Sequence, residues 1–150
     1  MRLRFVWIGK TRDKNWRALQ EDYLARLSHF ARFEISELKE SQPHETKEME
    51  GKRILEVLPQ NAFAVLLDVA GKQIGSHEFA REIESWQNRS LKEIFFIIGG
   101  QDGASEAIEN RANFKLSLSK MTFTHETARV ILLEQIYRAF TIIHRFPYQK

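Results

Sequence analysis

The sequence contains no cysteine and no long apolar run, and these absences exclude several classes of protein. Without cysteine there is neither a disulfide framework nor a thiolate metal site. The five histidines show no close ligand spacing, so we expect no structural zinc site. No stretch approaches the ~20 apolar residues of a membrane span, and the apolar run at residues 3–8 is too short for a signal peptide. We therefore expect a soluble, cytoplasmic protein.

Proline and glycine are also scarce, with 3 and 7 residues, and nothing in the chain resembles a flexible linker. The length of 150 residues and the apolar fraction of 43% predict a single domain over residues 1–150 with a packed core. The net charge of +3 is a mild basic bias. It permits a polyanionic partner such as RNA but does not require one.

Strand and helix patterns alternate along the chain. Apolar or alternating runs predict strands at residues 3–8, 33–36, 62–67, 93–98 and 114–118. Helical spacing predicts helices at residues 15–28, around 49–58, after a cap at Ser76, after a cap at Ser105, and at 127–143. This alternation predicts an α/β fold with a mostly parallel sheet and helices on both faces. The last helix is apolar almost all round, so it lies in the core or against a partner chain.

A glycine turn, Gly-Gly-Gln-Asp-Gly at residues 99–103, follows the fourth predicted strand and precedes a capped helix. Ligands of parallel sheets bind beyond the carboxyl ends of strands, and residues 68–75 after the third strand are the other such place. The turn is neither a G-x-G-x-x-G fingerprint nor a Walker A loop, which disfavours those modes of nucleotide binding. Two interpretations remain open: a tight structural turn, or one wall of a ligand site.

The segment at residues 116–125 mixes hydroxyl side chains with Met121 and Phe123. Such a loop suits an adenine ring or a thioether, because its backbone reads the base edge and its apolar side chains cover the faces. The alternative is an ordinary connection in which Thr124 caps the last helix. His125 is a candidate base with the same alternative of a cap or packed ring.

Charged residues interrupt the last helix, and the tail beyond it is basic and aromatic. Arg129 and Arg138 are candidates for binding a phosphate or a carboxylate, or for structural ion pairs, for instance with Glu134. The tail at residues 144–150 carries two aromatic rings that suit base stacking, and we expect it to be ordered rather than frayed.

With these motifs assembled, the whole chain resembles the ribosomal RNA large-subunit methyltransferase H family, a branch of the SPOUT methyltransferases. The resemblance is carried by the strings LDVAGK at 67–72, FIIGGQDG at 96–103, LSLSKMTFTH at 116–125 and LEQIYRA at 133–139. It departs from the family pattern in the tail, where the usual Pro-Tyr-His is Pro147-Tyr148-Gln149. Since glutamine cannot act as a base, any proton transfer by that histidine is lost here. The alternative is that the tail residue only hydrogen-bonds the RNA, which glutamine can also do.

The resemblance implies a trefoil-knotted α/β fold, a homodimer and the methyl donor S-adenosylmethionine, with no metal and no membrane partner. It implies methyl transfer to N3 of a pseudouridine in 23S ribosomal RNA, on assembled ribosomes. By matching positions, the implied cofactor-binding residues are Leu67, Gly100, Ser119, Lys120, Met121, Thr122, Phe123 and Thr124. The implied catalytic, RNA-facing residues are Arg138 and Tyr148. The alternatives are a non-catalytic ribosome-binding module and a SPOUT methyltransferase acting on transfer RNA.

Overall fold

The computed structural model describes residues 1–148, in which five strands alternate with five helices. The strands are β1 (Arg2–Ile8), β2 (Arg32–Leu38), β3 (Phe63–Gln73), β4 (Glu93–Ile98) and β5 (Phe114–Ser117). The helices are α1 (Lys14–Leu27), α2 (Lys47–Glu56), α3 (Ser76–Asn88), α4 (Glu106–Arg111) and α5 (His125–Ile143). Gln149 and Lys150 lie outside the described residues, so the prediction about Gln149 stays a prediction.

All five strands pair in parallel, in the order β2-β1-β4-β3-β5. The predicted α/β class and parallel sheet are therefore confirmed. The order brings the carboxyl ends of β3, β4 and β5 side by side, although they are far apart in the chain. It also agrees with the α/β-knot architecture that the resemblance implies.

Helices cover both faces of the sheet and enclose two apolar clusters. On one face α1, α3 and α5 pack over Phe5 and Phe96, whose rings stack at 5.7 Å. On the other face α2 and α4 pack over Val6 and Ile97. Since consecutive residues of a strand point to opposite faces, a continuous apolar run in β1 and β4 supplies both clusters.

The apolar surface of α5 is largely used inside its own chain. The helix packs against both α1 and α3, and it buries Leu132, Leu133, Ile136 and Phe140 completely. Of the two alternatives from the sequence, the core therefore accounts for most of this helix. Ile131 remains half-buried on its outer side.

Two local predictions are wrong. The third strand does not end at Leu67, because β3 continues to Gln73 and pairs again with β5 beyond a bulge. Ser76 does not cap α3, because Gly75 occupies the cap position and its amide donates to Glu78 Oε2 at 2.9 Å. The hydroxyl of Ser76 instead donates to Gln135 Oε1 on α5 at 2.7 Å, so a tertiary contact replaces the local cap.

Candidate functional site

A cleft of about 240 Å³ lies at the carboxyl ends of β4 and β5, beside the bulge in β3 that follows Leu67. Its walls come from three chain segments and from the first turn of α5. They are Leu67, Asp68 and Val69; the residues from Ile98 to Ala104 except Asp102; Leu116, Leu118, Ser119, Met121, Thr122 and Phe123; and His125 and Ala128. Glu109 of α4 also lines the cleft. This is the place where ligands of parallel sheets bind, as the sequence predicts.

The glycine turn forms one wall of the cleft and is also a tight turn. The carbonyl of Gly100 accepts a hydrogen bond from the amide of Gly103 at 3.0 Å. Gly103 has a φ of +82°, in the left-handed region where a side chain is strained. The segment is therefore a tight structural turn that also lines the cleft, and ligand binding there stays a prediction.

A bulge in β3 opens the opposite wall. Leu67 and Lys72 are both registered against Leu116, so the residues between them leave the regular ladder. Bulges of this kind redirect side chains at the end of a strand. Here Asp68 and Val69 are directed to the cleft, and both precede the point where pairing resumes.

The segment from Leu118 to Phe123 closes the third side. Ser119 Oγ accepts from the amide of Met121 at 3.0 Å, which fixes a local turn. The side chain of Met121 is 75% exposed although it lines the cleft. An exposed methionine at a cleft is typical of a surface that covers a ligand.

Most of the predicted cofactor-binding residues meet at this cleft. Six line it: Leu67, Gly100, Ser119, Met121, Thr122 and Phe123. Lys120 is exposed and does not line it. Thr124 caps α5 by accepting from the amide of Thr127 at 3.3 Å, as in the alternative drawn from the sequence.

His125 begins α5 and is half-buried at the cleft. Burial lowers the pKa of this imidazole below its usual value, and the positive charge of Arg129 lowers it further. The negative charge of Glu50 opposes this shift. The balance favours the neutral ring, which suits a packed wall residue that can accept or donate one hydrogen bond.

Arg129 is a structural cation and does not face the cleft. Its side chain is 3% exposed and lies over the ring of Trp7 at 4.8 Å. It donates to Thr11 Oγ1 at 3.0 Å and to the carbonyl of Ile8 at 2.6 Å. Thr11 in turn donates to Gln20 Oε1 at 2.6 Å. This network fixes the end of β1 against α5. Arg129 is therefore structural, but among residues 1–148 it acts through hydrogen bonds and a ring contact and not through the ion pair suggested by the sequence.

We expect Arg129→Met to lower the free energy of unfolding by about 3 kcal/mol, because it leaves buried acceptors unpaired. Urea denaturation with unchanged m-value measures this loss. The matched control is Arg17→Met, since Arg17 is exposed and makes a 4.0 Å helical ion pair with Glu21. Such a pair contributes below about 0.5 kcal/mol. Equal losses in the two variants would contradict the structural role.

The two predicted catalytic residues, Arg138 and Tyr148, both donate hydrogen bonds to Glu134. Glu134 Oε1 accepts from Arg138 Nε at 3.0 Å and from the hydroxyl of Tyr148 at 3.0 Å. The guanidinium of Arg138 lies 5.0 Å from the centre of the Tyr148 ring. Burial and hydrogen bonds with Tyr23 and Glu134 raise the pKa of Tyr148 above its usual value, so its hydroxyl stays protonated. These contacts hold Tyr148 of the tail against α5.

This cluster does not lie at the cleft of its own chain. His125 is at the beginning of α5, and Arg138 lies thirteen residues further along the same helix. At 1.5 Å per residue the two are about 20 Å apart along the helix axis. Neither Arg138 nor Tyr148 lines the cleft. The structure therefore separates the two groups of residues that the resemblance assigns to one reaction.

A larger hollow of about 940 Å³ lies at the opposite edge of the sheet, lined among others by Arg2, Arg32 and Lys92. It is at the amino ends of the strands, away from the edge where parallel sheets bind ligands. Within residues 1–148, no three acidic or histidine side chains are grouped closely enough to hold a metal ion. No helix in that part of the chain has the length and apolar character to cross a membrane.

Comparisons with known proteins match the chain, over nearly its full length, to one family of enzymes. Residues 1–149 match the model of the family described as "Predicted SPOUT methyltransferase". Three relatives are each named ribosomal RNA large subunit methyltransferase H. The one from Christiangramia forsetii is 43% identical over 154 residues, which cover 99% of this chain and 98% of the relative. The one from Geotalea daltonii is 39% identical over 151 residues, 99% of each chain. The one from Clostridium botulinum is 40% identical over 159 residues, 100% of each chain. The chain therefore belongs to the SPOUT methyltransferase family, together with the ribosomal RNA large subunit methyltransferase H proteins.

Proposed function

We propose that this protein is an enzyme that methylates N3 of a pseudouridine in 23S ribosomal RNA, with S-adenosylmethionine as the methyl donor and the assembled ribosome as substrate. The observation that carries the proposal is the cleft between the glycine turn and residues 118–123, in a chain of a methyltransferase family. The names of the relatives support large-subunit ribosomal RNA as the target. A cytoplasmic location, where such a substrate is found, is part of the proposal.

The residues of the cleft fit this donor. Leu116, Met121 and Phe123 offer apolar surface for the faces of an adenine ring. Backbone groups of the turn and the hydroxyl of Thr122 lie beside them and suit the polar edges of a nucleoside. We assign the adenosine to this part of the cleft.

The reaction makes two demands on the protein. It must align N3 with the methyl group, and it must stabilise the base after N3 has lost its proton. When bound, S-adenosylmethionine supplies an electrophilic methyl group on a sulfonium. N3 of the uracil ring must lose its proton before its lone pair can form the new bond. Alignment supplies a large part of the rate, and a fixed positive charge near the ring stabilises the anionic base.

Arg138 and Tyr148 suit the second demand. Glu134 and the Tyr148 ring hold the guanidinium of Arg138 in one place, which keeps its positive charge preorganised. Tyr148 stays protonated, so we assign it a hydrogen-bonding role beside the RNA base and not that of the proton acceptor.

A homodimer is part of this proposal, and two observations support it. The cluster of Arg138 and Tyr148 lies about 20 Å along α5 from the cleft of its own chain. The cleft volume of about 240 Å³ is also below the ~300–1,000 Å³ usual for a ligand site. A second copy, related by a twofold axis, would bring its tail to the open side of the cleft and complete both.

The test uses methyl-labelled S-adenosylmethionine with ribosomes from cells that lack the gene. We expect label in the large-subunit RNA of assembled ribosomes, at one pseudouridine located by mass mapping. Label in transfer RNA would favour the alternative substrate. Saturable calorimetric binding of S-adenosylhomocysteine without label in any RNA would favour a non-catalytic module, and no binding at all would contradict the proposal.

A further inference from the structure

Behind the glycine turn lies a buried carboxylate that belongs to none of the sequence motifs described above. Glu50 is 7% exposed, on the face of α2 that also buries Ile54. Its Oε1 accepts a hydrogen bond from the amide of Gly100 at 2.8 Å, and its Oε2 accepts one from the hydroxyl of Ser41 at 2.5 Å. The side chain thus joins α2 and the preceding loop to the wall of the cleft.

Two glycines allow this close approach. A Cβ on Gly100 would lie 2.0 Å from Glu50 Oε1, and a Cβ on Gly51 would lie 2.2 Å from Ser105 Oγ. Gly100 does not have a positive φ, so its backbone conformation does not require glycine. Glycine is required at this position because any side chain would collide with the carboxylate of Glu50. Gly51 similarly lets α2 approach the cap of α4, which brings Glu50 to the turn.

The charge of Glu50 is not neutralised by a neighbouring cation. Its two hydrogen-bond donors are neutral groups, and within residues 1–148 it forms no ion pair. A buried anion without a counter-ion is costly, and it attracts any cation that enters the same region of low dielectric. The carboxylate lies directly behind the cleft, because it accepts from the amide of Gly100 in the cleft wall, and its charge partly offsets the lowering of the pKa of His125 in the same wall.

We propose that Glu50 is a positioning residue for the glycine turn and that its charge makes the cleft prefer a cationic ligand over its neutral analogue. This inference rests on the proposed function. There the donor is a sulfonium cation and the product left after methyl transfer is a neutral thioether. A fixed anion behind Gly100 favours binding of the sulfonium over binding of the thioether. It therefore supports loading of the donor and release of the product.

The experiment measures calorimetric affinities of S-adenosylmethionine and S-adenosylhomocysteine. Glu50→Gln keeps the volume and an acceptor for the Gly100 amide but removes the charge. We expect it to weaken S-adenosylmethionine about tenfold and to change S-adenosylhomocysteine less than about twofold. The matched control is Glu45→Gln, which removes the same charge from a carboxylate paired with Arg53 at 2.7 Å and not touching the turn. It should leave both affinities unchanged.

A second variant separates charge from geometry. Glu50→Asp keeps the charge but withdraws it from Gly100, so both ligands should bind more weakly while the preference for the cation remains. Equal losses of both ligands in Glu50→Gln, or loss of the preference in Glu50→Asp, would overturn the inference. If the unaltered protein binds neither ligand, the proposed function itself fails, and that outcome is distinct from an unchanged ratio of affinities.

Discussion

Gly100→Ala is expected to weaken binding of S-adenosylhomocysteine about a hundredfold, which corresponds to about 3 kcal/mol. The new methyl group would lie 2.0 Å from Glu50 Oε1 and 2.4 Å from its carboxyl carbon. Glu50 must then move and release the Gly100 amide, so the buried amide loses its partner and the buried carboxylate loses one of its two donors. Each unpaired group costs about 1–3 kcal/mol, and the turn that forms the cleft wall shifts with them. Calorimetry on the purified variant measures the loss.

The matched control adds the same methyl group where there is room. At Gly75 the nearest atom to an added Cβ is Glu78 Oε2 at 3.7 Å, and this residue does not line the cleft. Gly75→Ala should therefore keep the affinity. The double variant Gly100→Ala with Glu50→Ala removes the obstruction and should recover about tenfold of the loss. If the double variant binds as weakly as Gly100→Ala alone, the methyl group obstructs the ligand itself and our explanation is wrong.

The local architecture could be predicted because the signals that set it are local. The apolar run of β4 leads directly into the glycine turn, and Ser105 caps α4 by accepting from the Ile108 amide at 3.3 Å, both as the sequence indicates. Thr124 likewise caps α5. In each case the residue type and its spacing determine the hydrogen bond, with no need of a distant partner.

The errors and omissions arise from contacts between distant segments. The extension of β3 depends on pairing Gln73 with Ser117, forty-four residues later, which no local pattern reports. Glu50 and Gly100 are fifty residues apart. One signal for Glu50 was present: it lies four residues before Ile54, on the buried stripe of its helix. A carboxylate at such a position requires buried donors, and the glycine turn supplies one.

The proposed dimer predicts the second large effect, in which two inactive variants restore each other's activity. Gly100→Ala impairs the cleft, and Arg138→Ala removes the guanidinium that Glu134 and Tyr148 hold. If each site combines the cleft of one protomer with the tail of the other, a heterodimer of these variants contains one intact site and one doubly impaired site. Purified by two different tags, this heterodimer should have about half of the normal methyl-transfer rate, while each parent homodimer is nearly inactive.

The control places both changes in one chain and pairs it with an unaltered chain. In a shared-site dimer, each of the two sites then contains one impaired half, so this heterodimer should be nearly inactive. If each chain works alone, the unaltered chain keeps its own cleft and tail, and the two heterodimers exchange their results. The same four protein sequences thus give opposite activity patterns for the two arrangements. Their comparison decides whether the 20 Å between His125 and Arg138 is bridged by a second copy.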